Sequence, residues 1–164
     1  MKEAKAVKRT YLITVLISLL IVCSASAMQK TPATPPAKAK CPVCGMFVAK
    51  YPDWVVSITF RDSTAVYFDG PKDLFKYFLN PGKYVSSRKQ ADVAAIFVKD
   101  YYSLSLIDGR KAFYVIGSDL LGPMGKELVP FAGKGDADGF LRDHRGLKVL
   151  RFDEITPSVM KDLE

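Results

Sequence analysis

An α+β fold is predicted by three features of this 164-residue chain. Two runs rich in β-branched and aromatic residues, 54–60 and 64–68, flank a short polar turn and lead into a segment with helical apolar spacing. Further short strand-like runs lead to a second helical segment, 136–145. Gly45-Met46 and Met124-Gly125 both stand ahead of strand and helix material, an internal echo that two small related modules, 41–92 and 93–164, would produce.

The elements follow in order. Val56, Ile58 and Phe60 alternate along one side of the first strand, and Arg61-Asp62-Ser63 turns the chain into the second, giving a hairpin. Asp69-Gly70-Pro71 opens a helix, with Asp69 as its cap and Pro71 near the first helical position. Leu74 and Phe78, and Phe75 and Leu79, lie four apart and form its apolar face, and Asn80-Pro81-Gly82 stops it. Residues 93–98 form an apolar strand. Residues 103–107 alternate with Leu104 and Leu106 inward, and Asp108-Gly109 turns the chain into a strand at 111–116. A turn-rich loop, Gly122-Pro123-Met124-Gly125, precedes a short strand at 128–131. The helix at 136–145 ends at Gly146, a strand follows at 147–152, and a short helix at 156–163 completes the chain.

Residues 1–27 read as a secretion signal. Lys2, Lys5, Lys8 and Arg9 form a positive start, residues 11–22 an uncharged apolar run, and Ala25-Ser26-Ala27 a small-residue cleavage site. Twelve residues is short of the roughly 20 that span a bilayer. Leu20-Ile21-Val22-Cys23 outlines a lipidation site, but Val22 is bulky for its position, so a lipoprotein is the lesser alternative and membrane association depends on it. Residues 28–40, with three prolines and almost no large apolar side chain, read as a flexible tether. The chain carries 24 basic and 17 acidic residues, a net +7, but the signal holds four of the bases and one of the acids. The remaining 20 bases and 16 acids leave +4, with neither the basic stripe nor the stacking aromatics of a nucleic-acid binder.

Cys41-Pro42-Val43-Cys44-Gly45-Met46 puts two thiols and a thioether within six residues at the start of the folded part. Soft donors of this kind suit Cu(I), zinc or iron–sulfur clusters, and a thioether points to Cu(I). In an exported chain a Cys-x-x-Cys pair is equally a disulfide. A redox enzyme would set the pair at a helix N-terminus after a strand. Here Gly45 and an extended segment follow instead. Structural zinc commonly takes a second Cys or His pair, and the sole histidine is His144, which reads as a helix-end residue. Cu(I) needs only two or three soft donors, and Cys44, Met46 and one further methionine suffice. Met124, in a loop without apolar periodicity, is the natural third donor, while Met160 reads as packing and Met28 as inert. No nucleophile–base constellation and no recognisable carboxylate pair is visible, and 133–135 is too short for a phosphate loop, so no enzyme is indicated.

Taken together, Cys44-Gly45-Met46, Phe68-Asp69-Gly70 and its helix, Ala94-Ala95-Ile96-Phe97-Val98, Lys111-Ala112-Phe113-Tyr114-Val115-Ile116-Gly117-Ser118-Asp119, Met124-Gly125 with Val129-Pro130-Phe131, and Val149-Leu150-Arg151-Phe152-Asp153-Glu154 resemble, in that order, the NosL family. These are accessory proteins of nitrous oxide reductase maturation. The resemblance implies two related ββα-type modules in a non-catalytic Cu(I)-binding protein of the periplasm or cell envelope. Such a protein delivers copper to the reductase in concert with membrane transporter components. It also implies a cysteine and methionines as ligands, which map to Cys44, Met46 and Met124. Cys41 departs from the one-cysteine pattern of many relatives, and as ligand, disulfide partner or relay its role stays open. Three readings therefore compete: a Cu(I) carrier, a thiol–disulfide oxidoreductase working through Cys41 and Cys44, and an interaction module stapled by one disulfide.

Overall fold

The computed structural model describes residues 34–164. The secretion signal, Cys23 and Met28 lie outside the described residues. Among those described, no helix is long and apolar enough to cross a membrane.

Short strands are assembled into antiparallel sheets, each backed by a helix. The first sheet has the order β2-β1-β3-β4, built from β1 (Val56–Phe60), β2 (Ala65–Phe68), β3 (Val93–Lys99) and β4 (Leu106–Asp108). The second has the order β8-β5-β9, from β5 (Phe113–Ile116), β8 (Val129–Phe131) and β9 (Lys148–Arg151). A separate hairpin, β6 (Leu121–Gly122) and β7 (Gly125–Lys126), carries Met124 at its turn. Helix α1 (Pro71–Leu79) packs on β1 and β2, α2 (Lys134–Asp143) on β5, β8 and β9, and α3 (Pro157–Asp162) on α1. The chain passes from the first sheet to the second after Asp108, and within the first sheet β3 pairs with β1 in register Ile96↔Ile58.

The predicted hairpin is β1–β2, and Val56, Ile58 and Phe60 are all buried as the alternation requires. Leu74, Phe75 and Phe78 of α1 are likewise buried. Phe75 stands edge-on to Tyr114 with ring centroids 5.1 Å apart and meets Phe152 at 5.2 Å. Such aromatic pairs add about 0.5–1.5 kcal/mol each beyond their buried area. They join α1 to β5 and to the end of β9, so one core runs from Cys41 and Ile58 through Phe75 to Tyr114 and Leu150. Pro130 is accommodated because β8 is an edge strand, where a missing N–H costs no ladder bond.

Three local expectations are corrected. Leu104 and Leu106 face outward, at 46% and 42% exposure. Leu104 has φ +56° and its N–H donates to the Asp100 carbonyl. The segment before β4 is therefore a closed loop, which Asp100 ties by accepting from the Ser103 and Ala132 amides. Second, the cap of α1 is Gly70, not Asp69, and no side chain caps it. Third, α2 ends at Asp143, with His144 as its C-cap, three residues before Gly146. Arg145 takes the left-handed conformation, φ +55°, and the Gly146 N–H returns to the Leu141 carbonyl. Gly146 is required for space, since a Cβ there would lie 2.8 Å from Val115 Cγ1.

Candidate metal centre

The segment before β1 folds back on itself as a small knuckle. Lys40 and Phe47 form an antiparallel bridge, the Cys41 N–H donates to the Met46 carbonyl at 2.8 Å, and the Gly45 N–H donates to the Cys41 carbonyl at 2.9 Å. Gly45 sits at φ +79°, a conformation glycine adopts without steric cost. The turn places both cysteines against the first turn of α1. The Cys41 thiol donates to Asp73 Oδ2 at 3.2 Å, and the Cys44 thiol donates to Asp69 Oδ1 at 3.3 Å. Ligand atoms of Cys41, Cys44, Asp69 and Asp73 all lie within 4.8 Å of one another. Both cysteines are free thiols; Cys41 is buried at 1% exposure, while Cys44 is half-buried and reachable.

Burial is the main cause that raises both thiols, and the adjacent carboxylates oppose ionisation further. The Cys44 thiol is pushed up to about 11, and Cys41 well above the ordinary thiol range. This is the opposite of the lowered thiol that a thioredoxin-like attack requires. It suits a site whose protons leave only when a metal replaces them.

The sequence-predicted residues divide as follows. Cys41 and Cys44 come together. Met46 closes the knuckle through its carbonyl, and its thioether accepts from the Tyr51 hydroxyl at 3.6 Å. Met124 is 42% exposed at the β6–β7 turn, and its carbonyl accepts from Lys72 Nζ on α1. Glu127 anchors the same hairpin from below. Its carboxylate accepts from the Lys72 and Leu128 amides. It fills the space beside Gly70, where a Cβ would come within 2.5 Å of Oε2. Burial pushes Glu127 up to about 8. The hairpin bearing Met124 and the knuckle bearing Cys44 thus both attach to the first turn of α1. His144 is engaged elsewhere, against Asp119 at 3.0 Å and stacked on Phe140.

Asp69 and Asp73 are the residues that sequence reading missed as a site. No carboxylate pair was recognisable, yet the fold presents one, four residues apart across the start of α1. The available signal was that spacing in a chain that also carries a Cys-x-x-Cys, but Asp69 read as a cap.

Comparison with known proteins agrees on one family. The NosL family profile matches residues 32–160. A protein of Stutzerimonas stutzeri, described as copper-binding lipoprotein NosL, is 42% identical over 57 residues, covering 35% of this chain and only 30% of that relative. The crystal structure of the copper chaperone NosL from Shewanella denitrificans superposes with a TM-score of 0.67 at 28% identity, covering 79% of this chain and 98% of the other. The solution structure of apo-NosL from Achromobacter cycloclastes is 27% identical with a TM-score of 0.48, covering 64% and 87%.

Proposed function

Because this chain belongs to the NosL family, we propose that it is a non-catalytic carrier of Cu(I) in the cell envelope that passes copper to a copper-accepting protein. The observation that carries the reading is the knuckle, which holds two free thiols within 4.8 Å of each other beside a thioether. Sulfur of this kind matches Cu(I). The description of the S. stutzeri relative as copper-binding and of the S. denitrificans protein as a copper chaperone supports the same metal.

Cys44 is the anchor, since it is the half-buried thiol, and Met46 and Met124 are labile arms. Met46 turns from Tyr51 to reach the metal. The bonds of Lys72 to the Met124 carbonyl and to Glu127, which hold the hairpin on α1, support Met124 as the second arm. Three sulfur donors leave copper coordinatively unsaturated. An incoming donor from the acceptor attaches before a neutral thioether leaves, and no bare ion is formed. The acceptor in this reading is nitrous oxide reductase, reached through its membrane maturation components, and the secretion signal at 1–27 sends the chain to the periplasm.

Thiol titration of the reduced protein tests the reading against both rivals. One equivalent of Cu(I) is expected to remove the reactivity of Cys44. Unchanged reactivity contradicts the carrier, and a pair that is oxidised as isolated and resists mild reduction marks a disulfide-stapled module.

A further inference from the structure

Cu(I) on sulfur leaves two buried carboxylates unused. Asp69 and Asp73 are 0% and 2% exposed, and each accepts from a cysteine thiol. Asp69 Oδ2 is buried with no hydrogen-bond partner among the described residues. A buried acceptor left unmet in this way calls for a missing ion or donor. Hard oxygen donors add nothing for Cu(I), but two thiolates and two carboxylates form a donor set for a borderline divalent cation.

We propose that Cys41, Cys44, Asp69 and Asp73 form a closed four-donor site for Zn2+, a second metal-binding mode that shares the thiols of the copper site and excludes its methionines. The geometry is already close. Tetrahedral zinc with sulfur at about 2.3 Å and oxygen at about 2.0–2.2 Å has donor–donor edges of about 3.5 Å. The two S···O pairs stand at 3.2 and 3.3 Å, and all four donor atoms fall within 4.8 Å. Zn2+ entering between them replaces the two thiol protons, which leave to solvent, and forms two Zn–S and two Zn–O bonds. The four negative donors outweigh the two positive charges, and Asp69 and Asp73 lie at the N-terminal end of α1, nine residues long, where the helix dipole favours negative charge. Zn2+ and Cu(I) then compete for the same thiols, and only a thiophilic monovalent ion can draw in Met46 and Met124.

Co2+, a coloured substitute for zinc, reads the site directly in the reduced, metal-free protein. The expected result is one equivalent with the visible bands of tetrahedral Co2+ and a thiolate charge-transfer band, discharged by one equivalent of Zn2+. Losing a supporting partner of a metal ligand costs about 10- to 100-fold in affinity, and losing a ligand costs at least that. D69N and D73N are each expected to lower Zn2+ affinity by this amount or more. Amide NMR spectra establish that each variant is folded, and C41S supplies a third variant that removes a ligand without touching α1. Absence of the tetrahedral spectrum, or Zn2+ affinities in folded D69N and D73N equal to that of the unmodified protein, overturns the proposal. Neither result bears on Cu(I) binding, which is measured separately on the same samples.

Discussion

Replacing Cys44 with alanine abolishes Cu(I) binding, whereas replacing Cys41 weakens it by about 10- to 100-fold, the cost of losing a partner that supports a ligand. The ranking follows from position. Cys44 adjoins Gly45-Met46 and is half-buried, within reach of a metal arriving from solvent. Cys41 is buried at 1% exposure behind it, packed into the same core as Ile58 and Phe75 and bonded to Asp73. Its side chain shapes the knuckle that presents Cys44. Competition against a Cu(I) chelator measures both variants. Equal loss in the two would mean a bis-thiolate site in which copper bridges the cysteines, and would reverse the assignment of Cys44 as sole anchor.

Cu(I) affinity also rises with pH, by about tenfold per unit for each thiolate that binds, because every protonated thiol must lose its proton to the solvent. The sign is fixed by the direction of the shift. Burial and the Asp69 and Asp73 carboxylates push Cys44 up to about 11, so the thiol is protonated throughout neutral pH and the rise continues until about that value. With Cys44 as the sole thiolate, the expected slope between about pH 6 and about pH 9 is one proton per copper. A slope of two means that Cys41 ionises as well. Zn2+ bound by both thiols shows the steeper dependence, about 100-fold per unit, in the same protein. A pH-independent affinity would mean that no thiolate holds the metal.

The parts of the fold visible in the sequence are those set by local pattern. Val56, Ile58 and Phe60 announce β1 by alternation, and Leu74, Phe75 and Phe78 announce α1 by spacing of three and four. Leu104 and Leu106 continue an alternating pattern too, but the pattern fails there. A long-range bond from Asp100 to the Ala132 amide closes the preceding segment into a loop with Leu104 at positive φ. The candidate site divides in the same way. Cys41, Cys44 and Met46 lie within six residues and were legible as a cluster. Asp69 and Asp73 meet them across 25 and 32 residues of chain, a pairing that only the packing of the knuckle on α1 creates. Glu127 was invisible for a similar reason. Its carboxylate is buried between Gly70 and Gly122, and nothing in residues 125–129 distinguishes it from a surface acid.

Copper K-edge absorption of the Cu(I)-loaded protein tests the central assignment of Cys44, Met46 and Met124 most directly. Three sulfur neighbours at about 2.3 Å, a length like that of zinc thiolates, are predicted for the unmodified protein, falling to two in M124A with Cu(I) still bound. A nearest-neighbour shell that contains oxygen or nitrogen, or an M124A spectrum identical to that of the unmodified protein, would contradict a sulfur site shared between the knuckle and the β6–β7 hairpin.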